Sequence, residues 1–149
     1  MHPFDIKTVL FAKHAQHVVL IHFPIALFII GVFFDFLAQW KKQPLLAAVA
    51  YYDLLVAAIS TIPVVVTGIF AWQWELEGQR LKGVLLMLLA MGCLSSVLIW
   101  VVLLIHRKTQ RKPEDVLPEY RLPIEAVAAA FVVVTGHLGG FLSGVNGPG

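Results

Sequence analysis

Apolar residues along the chain collect into four long stretches, and the polar residues collect between them. The first stretch runs from about residue 17 to 39 and holds Asp35; the second runs from about 45 to 72 and holds Asp53. The third, from about 81 to 105, has no charged residue between Lys82 and His106. The fourth, from about 123 to 142, has Glu125 near its start and His137 near its end. About 20 predominantly apolar residues in a helix cross the hydrocarbon core of a bilayer, and four segments cannot close a β-barrel. The pattern therefore predicts an all-α integral membrane protein, a bundle of four transmembrane helices. Pro123 suits a first helical turn, where its missing N–H costs nothing. Ahead of the first span, Asp5 to Gln16 can form a short interfacial helix capped by Asp5, with Ile6, Val9, Leu10 and Phe11 towards the membrane surface.

Composition agrees with this pattern. Apolar residues make up 59% of the chain, charged residues only 13%, and the mean hydropathy is +0.83; a soluble domain carries about 25% charged residues. The 149 residues are read as a single membrane domain, 1–149. Cys93 stands alone, so no internal disulfide can form, and its apolar surroundings suggest a small buried hydrophobe. Asp5, Lys7 and Lys13 precede the first apolar run, which is too long for a signal peptide, so that run is expected to stay as a membrane anchor. A net charge of +2 without a basic stripe gives nucleic-acid binding little support.

The loops set an orientation. Lys41, Lys42, Arg107, Lys108, Arg111, Lys112 and Arg121 fall on one side; Lys7, Lys13, Arg80 and Lys82 fall on the other. The positive-inside rule puts the richer side in the cytoplasm. Both termini then face outward, the periplasmic side of a bacterial inner membrane. Trp72 and Trp74 mark the outer interface and Trp40 the inner one.

Histidine is where this sequence carries candidate chemistry. Ionisable residues inside a bilayer are costly and are functional candidates by default. His22 lies about five residues inside the outer end of the first span, and His137 about five residues inside the outer end of the fourth. At 1.5 Å per residue both sit roughly 8 Å below one interface. Matched depth on two helices is what the axial ligands of a haem iron require. Gly136, Gly140 and Gly144 recur every four residues beside His137; such a face admits a macrocycle, though close helix packing is its simpler use. Gly68 comes to the same depth on the second span, and Pro24 can kink the first span beside His22. Arg80 and Lys82, on the outer loop, can pair with haem propionates. His17 is the reserve ligand, about 140° from His22 around a helix; with His14 it otherwise sits solvated at the interface. His106, next to Arg107 and Lys108, reads as an interfacial residue at the inner side. Asp35 and Asp53 can share a proton, or bond to Tyr51, Tyr52 or a threonine, in a packing role.

The run His17-Val18-Val19-Leu20-Ile21-His22-Phe23-Pro24-Ile25-Ala26-Leu27, followed by Asp35, resembles the opening of the bacterial membrane family known as domain of unknown function 2231. Thr67-Gly68 and Thr135-Gly136-His137-Leu138-Gly139-Gly140 are similar to later parts of that family, so the resemblance spans about residues 17 to 144. Val18 departs from the family's usual proline, and residues 79 to 82 lack the histidine that many members carry near the third helix. The resemblance implies redox company, because similar proteins occur beside or fused to Rieske-type and cytochrome-type domains.

Two functions follow as expectations. One is a membrane subunit of an electron-transfer complex that binds one haem b near the periplasmic face between the first and fourth spans. His22 and His137 are its ligands, and Gly136, Gly140, Gly68, Arg80 and Lys82 surround it. Its partners would be a periplasmic cytochrome c, an iron–sulfur protein or the quinol pool. The other is a haem-free accessory subunit of a larger respiratory or photosynthetic assembly, whose histidines and glycines serve packing. A stand-alone enzyme has little behind it: there is no nucleophile–base–orienter set, no metal-spaced Cys/His cluster and no phosphate loop. Paired broken helices, the mark of many transporters, are also missing.

Overall fold

The computed structural model describes residues 13–75, 83–109 and 120–142. They form four helices: α1 (Lys13–Lys41), α2 (Pro44–Glu75), α3 (Gly83–Thr109) and α4 (Arg121–Leu142). Each contains a stretch long and apolar enough to cross a membrane: Val19–Lys41, Pro44–Phe70, Gly83–Lys108 and Arg121–Gly140. No strand occurs among the described residues. The predicted spans are all present, with shifted ends. Lys13 to Gln16, expected in a separate interfacial helix, continue α1; the rest of that segment lies outside the described residues. α4 begins at Arg121 rather than Pro123, because Pro is as well tolerated at the third helical position as at the first, where no intrahelical N–H bond is yet due.

α1 and α2 are joined by the tightest link. Lys42 takes a left-handed φ of 52°, and the Gln43 N–H donates to Ala38 O at 3.2 Å, the six-to-one bond of a Schellman motif. Gln43 then caps α2, its carbonyl accepting from Leu46 N at 3.2 Å, with Pro44 at the first helical position. Two residues thus reverse the chain, and α1 and α2 pack along most of their length. α2 with α3, α3 with α4 and α4 with α1 complete an antiparallel ring of four. The α1–α2 turn, the end of α3 and the start of α4 share one end of the bundle, the turn end; the opposite end is the far end.

Small residues let the helices approach. Ala57, Ala58 and Ala128 are fully buried with Phe28, Leu54, Val102 and Val132 in the core. At Gly31, an added Cβ would stand 3.1 Å from Leu54 Cγ and 3.2 Å from Asp53 Cβ, so only glycine fits this crossing of α1 and α2 without movement. The outward faces carry Val19, Phe33, Phe36, Tyr52, Val97 and Leu104, each more than half exposed. Water would not tolerate that apolar belt, whereas lipid is its natural solvent. Cys93, expected to be buried, is exposed on α3 and belongs to this belt. Trp40, in the last turn of α1, and Trp72, near the end of α2, lie at opposite ends of the bundle, the places that aromatic belts take.

Candidate functional site

Four ionisable side chains meet inside the turn end. Asp35 comes from the last two turns of α1, His106 from the last turn of α3, and Arg121 and Glu125 from the first two turns of α4. None is more than 3% exposed. Arg121 Nε donates to Asp35 Oδ2 at 2.7 Å, and His106 Nε2 lies 2.7 Å from Glu125 Oε1. Arg121 and Glu125 are one helical turn apart, with Nε and Oε1 at 4.0 Å. One ligand atom from each of Asp35, His106 and Glu125 falls within 4.8 Å of the others. Asp35 Oδ1 and Glu125 Oε2 are buried with no hydrogen-bond partner.

The grouping follows from helix lengths. Asp35 stands six residues before the end of α1, His106 three before the end of α3, and Glu125 four after the start of α4. Antiparallel packing brings all three to one level. The expected role of His106 as a mere interfacial residue is therefore corrected: its side chain is 2% exposed and bonded to Glu125. Arg121, counted with the loop charges, opens α4 and is ion-paired to Asp35, so six of the seven cations counted on that side remain once it is set aside. Asp35 pairs with Arg121 and not with Asp53, which packs against Gly31 one turn further into the membrane.

Smaller polar links tie the middle of the bundle. Thr135 Oγ1 donates to Phe131 O at 2.8 Å, which leaves Ser95 to donate to Thr135 at 2.8 Å across α3 and α4. Trp100 Nε1 donates to Thr61 Oγ1 at 3.2 Å across α2 and α3. Between these groups and Pro24 lies a cavity of about 50 Å³. That is room for a few water molecules.

At the far end, His17 of α1 packs against α2. Thr67 Oγ1 donates to Pro63 O at 2.8 Å, so the 3.0 Å contact between His17 Nδ1 and Thr67 Oγ1 has the imidazole N–H as donor. A Cβ on Gly68 would stand 3.0 Å from His17 Cε1. The space over Gly68 is thus filled by the His17 ring of the same chain, and His17 is half-buried rather than solvated at the surface.

His22 and His137 are both exposed. The α1–α4 seam is built from Ile21 and Ile25 on α1 against Gly139 and Gly136 on α4; a Cβ on Gly136 would meet Ile25 Cδ1 at 3.4 Å, and one on Gly139 would meet Ile21 Cδ1 at 3.8 Å. His22 follows Ile21, and His137 follows Gly136, by one residue, about 100° around each helix. Each turns away from the core to the outer flank of that seam. Gly140 is half-buried beside it. Arg80 and Lys82 lie outside the described residues, as do His2 and the side chains of His14 and Trp74.

The pattern of a family described as predicted membrane protein (DUF2231) matches residues 13–147. No curated protein and no solved structure matches the chain.

Proposed function

The chain belongs to the DUF2231 family of predicted membrane proteins, and from that premise we propose that it is a subunit of an electron-transfer complex of the bacterial inner membrane, holding one haem b on the outer flank of the α1–α4 seam. The observation that carries this reading is the placement of His22 and His137. Two exposed imidazoles stand on adjacent helices, at the same end and beside the same seam. Ionisable residues within a membrane span are functional candidates by default, and a haem would offer both an apolar face and an iron to two such rings. Among the described residues the seam glycines are covered by Ile21 and Ile25, which favours the flank over the seam itself. On that flank a haem would be open to lipid or to a partner subunit. Bound there, it would exchange single electrons with a periplasmic cytochrome c, an iron–sulfur protein or quinol. Arg80 and Lys82, between α2 and α3 in sequence, would pair with its propionates.

One observation favours a haem-free accessory subunit instead. The glycines assigned to a cofactor wall contact protein: Gly68 lies under His17, and Gly136 under Ile25. In that reading a neighbouring helix of a larger assembly covers His22 and His137.

Optical spectra of the protein purified in detergent separate the two. Bis-histidine haem predicts a sharp α band on dithionite reduction, abolished in His22→Ala and in His137→Ala. A folded preparation with no haem absorbance after expression with added haem precursor sinks the first reading.

A further inference from the structure

The cluster at the turn end takes no part in the proposed haem site, and its hydrogen bonding is incomplete. Asp35 Oδ2 receives Arg121 Nε–H, and Glu125 Oε1 faces His106 Nε2. Asp35 Oδ1 and Glu125 Oε2 are buried acceptors to which nothing donates. Buried carboxyl oxygens without donors are rare, because each has given up its water.

Charge points to what is missing. Asp35 and Arg121 cancel. Among the described residues, a Glu125 carboxylate beside an uncharged imidazole would leave the cluster one negative charge in excess, at no more than 3% exposure. One proton restores neutrality. Placed on Glu125 Oε2, it also turns an orphan acceptor into a donor within a cluster that includes the second orphan, Asp35 Oδ1. The imidazole can then donate an Nε2–H to Oε1 across the 2.7 Å contact. A divalent cation on the same three ligands would instead leave one positive charge in excess beside Arg121, which burial disfavours just as strongly.

We propose that Glu125, held by His106, Arg121 and Asp35, is a proton-binding site at the turn end of the bundle. The proton comes from water, adds to the Glu125 carboxylate to give the acid, and returns to water when the site empties. His106 and Arg121 stand within one turn of helix ends, so the exchange runs to the adjacent aqueous face and not across the bilayer. The groups that face Glu125 are Asp35 from α1, His106 from α3 and Arg121 from α4. From α2, Asp53 lies one turn deeper against Gly31, and Arg107 and Lys108 follow His106 on the exposed end of α3.

Infrared spectroscopy of the full chain in lipid nanodiscs tests this. Wild type is expected to show, at neutral pH, the carbonyl stretch of a protonated carboxylic acid that shifts in D2O and fades as pH is raised. Glu125→Gln should remove that band with the helical circular dichroism unchanged, and Asp35→Asn should keep it. If Glu125→Gln does not fold, His106→Gln, which takes away the imidazole donor, should move the band and the pH at which it fades. The proposal fails if wild type shows no acid band while folded, or if the band survives in Glu125→Gln. It also fails if wild type retains stoichiometric Zn2+ or Mn2+ through dialysis and Glu125→Gln does not, since the cluster would then be a metal site.

Discussion

At the scale of single residues, the sequence marks which positions are costly but not which of them meet. Asp35, Glu125, His106 and His137 each stand out as ionisable residues in or beside an apolar run, and depth counted along a helix finds pairs at one level. That count singles out His22 with His137 and passes over Asp35, Glu125 and His106, although the same count applies to them. The reason is the helix ends. Arg121 reads as a loop residue while α4 is taken to start at Pro123, and with Arg121 outside the helix nothing neutralises Asp35. Once α4 starts at Arg121, its four-residue spacing to Glu125 puts both on one face. The Asp35–Arg121 pair also makes a quantitative prediction. Breaking a buried ion pair leaves an uncompensated charge and costs about 3–5 kcal/mol, whereas replacing both partners by apolar groups of similar size is nearly neutral. Arg121→Met should therefore destabilise the folded bundle by several kcal/mol, and Asp35→Leu with Arg121→Met should recover most of the loss. Reversible unfolding in mixed micelles, run as a double-mutant cycle, measures the coupling. Additive losses would mean that the 2.7 Å contact contributes no specific stability.

At the scale of elements, the helices were legible because a bilayer demands length and apolarity together, and both are plain in the sequence. Their ends were not. The Schellman turn at Lys42 has no glycine to announce it, and the left-handed position falls on a lysine. Nor does the pattern show which small residue serves a crossing. Gly136, Gly140 and Gly144 draw attention by their spacing, yet a glycine crossing of α1 and α2 with no slack lies at Gly31, an isolated residue in an aliphatic run. Gly92 gives the contrast, since a Cβ there would meet only Thr135 Cγ2 at an ordinary 3.9 Å. Gly92→Ala should stabilise the bundle by up to about 1 kcal/mol, because alanine loses less backbone freedom in a helix. Gly31→Leu must push Leu54 and Asp53 away and should cost about 1–3 kcal/mol, the usual range for overpacking. The same micelle unfolding assay reads both, and equal effects at the two positions would refute the close crossing.

At the scale of the whole molecule, the bundle has two unlike ends. The far end carries His17 against Thr67-Gly68, and His22 and His137 on the outer flank of one seam; the turn end carries the buried acid–base cluster. Which end faces the cytoplasm rests on loop charge alone. The Asp35–Arg121 pair narrows the bias without reversing it, since the six other cations counted on one side of the sequence still exceed the four on the other. Orientation matters to both proposals, because it decides whether haem meets periplasmic or cytoplasmic partners and from which compartment Glu125 draws its proton. Single cysteines settle it. Cys93 faces outward from a membrane span, so Cys93→Ser provides a background without a reactive thiol. In that background Gln43→Cys, in the α1–α2 turn, should resist a membrane-impermeant maleimide in spheroplasts and react after lysis. Gln79→Cys, between α2 and α3 in sequence, should react in both. The reverse pattern would invert the bundle, sending haem-borne electrons to cytoplasmic partners and opening the Glu125 site to the periplasm. Labelling of both cysteines before lysis in equal measure would mean that the chain inserts in two orientations, as a bias of two charges can allow.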